Sequence, residues 1–176
     1  MQIQADEYGG GDAAWMHSSL FARTLVALGL DPAAGPPLDR IPGTTLAVTN
    51  LLSMFGLHRR LRGQSAGALA LFEMTSCIPN RRYGDGMRRL GFDEEATRFF
   101  DEHVEADAVH EAVAATDLAG ALASEEDLAW EILFGAHALQ ETEALAAEQQ
   151  SAAWSAGRPS LLPPSRTTRR HLAAIT

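Results

Sequence analysis

Phe99-Phe100-Asp101-Glu102-His103-Val104-Glu105-Ala106-Asp107-Ala108-Val109-His110 is the most informative stretch of this chain. Each residue of an α-helix turns by about 100°. The four residues from His103 to Asp107 give a net turn of about 40°, and the seven to His110 about −20°. Three metal-competent side chains therefore share one stripe over two turns. Phe99, Phe100, Ala106 and Val109 are apolar, so part of this helix is expected to face inward. Glu105 falls about 200° from His103, and Glu111 about 100° from His110, so both leave the stripe. Unpaired buried carboxylates are very costly, and metal coordination removes that cost. Imidazole and carboxylate together suit iron, manganese or zinc. The bland alternative is a solvated charged face.

Helical periodicity continues on both sides. Residues 12–28 read as a helix, with Leu20, Phe21, Leu25 and Leu28 at helical spacing. The Pro/Gly-rich stretch 31–43 forms a loop. A second helix is expected over 44–61 from a Thr44 cap. Gly63 breaks the pattern, and a third helix covers 65–77, stopping before Pro79. A short basic helix or turn follows over 81–90. The motif helix opens at Gly91-Phe92-Asp93-Glu94-Glu95, acidic in its first turn, and reaches at least Ala114. A separate short helix is expected over 117–123. Ser124-Glu125-Glu126-Asp127 reads as the cap and acidic first turn of a last helix to about Ala156. From Gly157 the chain turns to Pro, Ser and Arg without a period. The expectation is one all-α domain over 1–156 and a mobile tail over 157–176.

Composition agrees with helix. The 176 residues suffice for one domain with a core. Hydrophobic residues make up 46% and aromatics only 7%, while Ala and Leu dominate. A net charge of −9 argues against nonspecific nucleic-acid binding, which needs clustered cations. Arg59-Arg60-Leu61-Arg62 and Arg81-Arg82 are short and read as solvated helix ends. Cys77 is the single cysteine, so no internal disulfide forms. No signal-peptide pattern and no run of 18 apolar residues is present. The expectation is a cytoplasmic protein without membrane or nucleic-acid partners.

The remaining metal ligands would come from other helices. Glu73 lies among Leu69, Phe72 and Met74, which leave a narrow polar arc that permits an inward carboxylate. His17 sits beside Trp15, Leu20 and Phe21, where a satisfied core histidine is the commoner outcome. Helical bundles hold carboxylate-bridged metal pairs between facing helices. The ferritin-like Glu-x-x-His motif is missing. Arg81 and Arg82 are candidate partners of a substrate carboxylate, and Tyr8 and Tyr83 candidate donors near the site. His58, His137 and His171 match no motif position. Cys77 reads as a small buried hydrophobe.

His103-x3-Asp107-x2-His110, with Glu73 thirty residues before His103 and His17 eighty-six before it, resembles the haem-oxygenase-like di-iron oxidases, or iron-containing redox enzymes. Phe72-Glu73-Met74-Thr75 and Asp101-Glu102-His103-Val104-Glu105-Ala106-Asp107 are similar to stretches of its bacterial members. The resemblance extends to about Gly157. It implies a haem-oxygenase-like helical bundle with two iron ions held by Glu7, His17, Glu73, His103, Asp107 and His110, and dioxygen as co-substrate. Glu7, ten residues before His17, suits the nitrogen-oxygenating branch. A straight helix would separate that pair by about 15 Å, so a bend at Gly9-Gly10-Gly11 is expected. Asp6 and Asp12 are the substitutes for Glu7. The implied reactions on a small organic substrate are decarboxylation, C–C cleavage and N-oxygenation. The alternatives are a non-catalytic helical metal-binding or partner-binding protein and, third, a zinc or manganese hydrolase. Only six residues precede Glu7, so the resemblance also implies that the N-terminal helices of the family domain are lacking here. The face they would cover is then expected to be apolar and to favour homodimerisation.

Overall fold

Helix is the only regular structure among the described residues. The computed structural model describes residues 2–33 and 38–163, with the backbone alone at Ala108. The helices are α1 (Gln2–Glu7), α2 (His17–Ala27), α3 (Gly43–Leu57), α4 (Arg62–Arg89), α5 (Glu94–Ala112), α6 (Ala121–Glu125) and α7 (Ala129–Ser155). The central helix α4 packs against α5 and α7, and α2 lies on α5. Phe55, Ala68 and Leu139 form one buried cluster between α3, α4 and α7. Ala70, Ala114 and Ala119 form another, closed by Ile3, Leu69 and Ile132. Thr24, fully buried on α2, donates its hydroxyl to Ala96 O at 2.8 Å and ties α2 to α5.

The helices depart from the periodic pattern where tertiary contacts override local signals. α4 does not stop before Pro79 but runs through it, joining the two helices expected over 65–77 and 81–90. A helix-interior proline costs roughly 3 kcal/mol. Side chains beside it share the local backbone bonding. Thr75 Oγ1 donates to Leu71 O, and Asn80 Nδ2 to Ser76 O. Packing of α4 on both sides supplies the rest. Gly63 does not break α4 either, because a Cβ there would lie 2.6 Å from Glu131 Cβ on α7. The glycine is a contact point.

Other boundaries shift too. α2 begins at His17 rather than 12, because Asp12 Oδ1 accepts from Ala14 N and turns the chain first. Thr44 does not cap α3, which starts at Gly43; its hydroxyl instead donates to Gln149 of α7. Asp93 caps α5, accepting from Ala96 N at 3.1 Å. α5 passes without a break into a π-helical stretch, Val113–Gly120, and then α6, replacing the separate helix expected over 117–123. Ser124 lies inside α6, and α7 starts at Ala129 without a side-chain cap. Of the expected tail, residue Leu162 exchanges hydrogen bonds with Arg40, N–H to O at 2.7 Å and Nε–H to O at 3.2 Å. Residues 164–176 lie outside the described ones. No described helix is long and apolar enough to cross a membrane.

Half-buried Glu143 on α7 gives a test of this packing, since burial raises its carboxyl above the ordinary 4.5. A folded-state value above the unfolded one favours folding only while the group is protonated. Stability should therefore fall as pH rises from 4.5 through the raised value. Glu143→Gln is expected to melt above wild type at neutral pH, with the gap closing toward pH ~4. A gap that ignores pH would show that Glu143 is solvated.

Candidate metal centre

Of the stripe on α5, Asp107 and His110 face α4, while His103 meets α1 and α2. Asp107 and His110 are 3% and 1% exposed, while Glu105 and Glu111 point to solvent. Val109, expected inside, is 48% exposed. On α4 the arrangement inverts residue hydrophobicity: Phe72 and Met74 are exposed, and Glu73 between them is 7% exposed. A carboxylate does not take that position for burial alone. His17 opens α2 and is 4% exposed. Glu7 ends α1, and the chain then bends at Gly9, Gly10 and Gly11, with φ of 63°, 62° and 97°. These left-handed values are cheap only for glycine. The bend expected from the triple glycine is present, and it returns Glu7 to within 3.0 Å of His17 Nδ1.

The six residues form two groups. Glu7, His17 and His103 make one, Glu73, Asp107 and His110 the other, each with its ligand atoms within 4.8 Å of one another. The second group is buried throughout; in the first, only His17 is. The His17 and His103 rings lie 4.4 Å apart, and Phe99 stacks 4.4 Å from His103.

Hydrogen bonding shows that these side chains fit metal ions. His103 Nδ1 donates to Phe99 O at 2.7 Å, which leaves the lone pair on Nε2. His110 Nε2 donates to Asp6 Oδ2 at 2.9 Å, which leaves the lone pair on Nδ1. That Nδ1 faces Glu73 Oε2 at 3.4 Å and Asp107 Oδ1 at 3.9 Å. His17 Nδ1 is buried and lacks a hydrogen-bond partner despite its closeness to Glu7. A buried polar atom in that state costs about 1–3 kcal/mol, and a cation bound to it removes the cost. Burial pushes the Glu73 carboxyl above its ordinary value. His110 opposes that rise, and the Asp107 and Glu7 carboxylates add to it. A cation would relieve both burial and repulsion.

Asp12, the other substitute for Glu7, serves the Ala14 turn instead. Arg81 and Arg82 are exposed and line no part of the cavity beside the two groups. Tyr8 and Tyr83 are mostly exposed, and Tyr83 stacks on Phe100. His137 pairs loosely with Glu141, and His171 lies outside the described residues. Cys77 is only partly buried, its thiol 3.8 Å from Val104 O. The sequence pattern missed Ser76, whose hydroxyl donates to Asp107 Oδ2 at 2.5 Å. Its position three residues after Glu73, on the same helix face, was the available signal.

Two similarities to known proteins bear on this geometry. The chain is 29% identical over 109 residues to nitrosourea synthase from Streptomyces achromogenes subsp. streptozoticus. That match takes in 62% of this chain and 23% of the synthase, so the chain spans about a quarter of that relative's length. The family model described as iron-containing redox enzyme matches residues 1–144, and all six grouped side chains fall within it. An all-helical, haem-oxygenase-like fold and a match across most of its length place this chain in the iron-containing redox enzyme family.

Proposed function

We propose that this chain holds two iron ions and uses dioxygen to oxidise a small organic substrate. Glu7, His17 and His103 would hold one iron, and Glu73, Asp107 and His110 the other. The observation that carries this reading is the convergence of six residues from four helices into two ligand groups joined at Glu73. Glu73 belongs to the buried group, yet lines a cavity of about 520 Å³ together with Glu7, His17 and His103. When bound, reduced iron would supply the electrons for dioxygen activation.

The chain's own residues do the rest. Phe99 O and Asp6 orient two imidazoles, and the Ser76 hydroxyl holds one oxygen of Asp107. Ile3, Phe21, Leu69, Phe72 and Phe99 wall the cavity with groups that cannot compete as ligands. Among the described residues, Ser18 is the one polar lining residue outside the ligand groups, and no Arg or Lys lines the cavity. Those walls would receive the apolar part of a substrate and direct its reacting atom toward Glu7, His17 and His103. Among the reactions the family resemblance implies, likeness to a nitrosourea synthase favours oxidation at nitrogen.

Anaerobic titration with ferrous iron, followed by elemental analysis and exposure to oxygen, tests this. Up to two irons per chain and a transient visible absorption that needs oxygen are expected. Tight zinc binding with no uptake of ferrous iron would overturn the proposal and favour a hydrolase.

A further inference from the structure

Asp6 belongs to neither ligand group, yet it touches one of them. Its Oδ2 lies 2.9 Å from His110 Nε2, while His110 Nδ1 faces Glu73 and Asp107. A neutral imidazole has one N–H and one lone pair, and the partner of one nitrogen decides which is where. A carboxylate oxygen accepts here, so Nε2 carries a hydrogen, and a metal bound to this ring must be held through Nδ1. Among the described hydrogen bonds, Asp6 is the only partner of this ring. His110 is 1% exposed, so water is a poor replacement.

The chain places Asp6 there through one close approach. A Cβ at Gly9 would lie 2.6 Å from the carbonyl carbon of Trp15 and 2.7 Å from Met16 N. Only glycine lets α1 fold back this tightly, and its φ of 63° is itself a glycine conformation. Consecutive helix residues diverge by about 100°. Folded back, α1 therefore directs Glu7 to His17 and Asp6 to His110 at the same time.

We infer that Asp6 is a positioning residue: by holding His110 Nε2–H it presents Nδ1 to a metal bound by Glu73 and Asp107. The inference rests on the reading of that group as a metal site. Its test compares wild type with Asp6→Ala and with Asp6→Asn, which keeps an oxygen acceptor in place. Long-range proton–nitrogen NMR of the metal-free chain, at one fixed pH, reads the ring directly. His110 is expected in the Nε2–H form in wild type and Asp6→Asn, and in mixed forms in Asp6→Ala. Titration with Zn²⁺ as a diamagnetic probe should show one site weakened about 10–100-fold in Asp6→Ala. Asp6→Asn should stay within a few-fold of wild type. In the Zn²⁺-loaded wild type, His110 should bind through Nδ1. Ligation through Nε2, or an Asp6→Ala chain with wild-type ring form and affinity, would overturn the inference. A wild-type chain that takes up no Zn²⁺ or iron would sink the metal reading, and the metal-free ring form would still decide the role of Asp6. Should Asp6→Ala fail to fold, the wild-type ring form and its ligating nitrogen decide the matter.

Discussion

Asp107→Ala and His103→Ala are each expected to lose most of the iron that wild type takes up, since each removes one ligand from a group of three. Loss of about half the iron in each variant would instead mean that the two groups bind independently. Iron held by these groups would favour the folded chain over the unfolded one. At a hundredfold excess over Kd this adds about 2.7 kcal/mol per site. For a chain of this size that is a rise in Tm of roughly 5–11 °C. Both ligand variants should forfeit much of that rise. Asp107→Asn separates loss of metal from loss of fold. It keeps the volume and an acceptor for Ser76, and removes a charge that repels the Glu73 carboxylate. Without metal, Asp107→Asn should melt at or above wild type, yet bind little iron. Wild-type iron content in both His103→Ala and Asp107→Asn, by elemental analysis, would remove the proposed centre.

Gly135→Ala should damage the fold itself. A Cβ at Gly135 would sit 2.0 Å from Gln64 O, and one at Gly67 would sit 1.9 Å from Ile132 O. Both neighbours are backbone, so no side chain can swing away. α4 and α7 would have to separate. Overpacking typically costs 1–3 kcal/mol, and a backbone clash belongs at or above the upper end. Alanine returns roughly 1 kcal/mol in helix propensity. A net loss of about 2 kcal/mol or more lowers Tm by roughly 4–8 °C or more. Gly86→Ala is the control, because the nearest atom to its added Cβ is a flexible Arg89 guanidinium nitrogen at 3.7 Å. It should be neutral or slightly stabilising. Equal melting of Gly135→Ala and wild type would mean that α4 and α7 are not in close contact there.

The sequence by itself determined that the chain is helical, and which residues are chemically equipped to bind metal. Both follow from local properties. The 100° step places His103, Asp107 and His110 on one stripe whatever packs against it. Asp93 caps α5 because its carboxylate finds a backbone N–H three residues on. The glycine run after Glu7 signals a bend for the same local reason.

Only the tertiary structure decided how the candidate ligand residues divide. The stripe suggests one site, but His103 joins α2 and α1 while Asp107 and His110 join α4. That partition depends on which helices meet α5 at each turn, and no period within α5 encodes it. Helix limits at Gly63 and Pro79 were likewise misleading, because α4, packed on α5 and α7, stays helical across both signals. Asp6 stood in the sequence only as a substitute for Glu7, and Ser76 not at all; each acquires its role from a partner on α5, 104 and 31 residues away. Hydrogen bonds across such separations depend on packing, since helix geometry relates only residues a few positions apart.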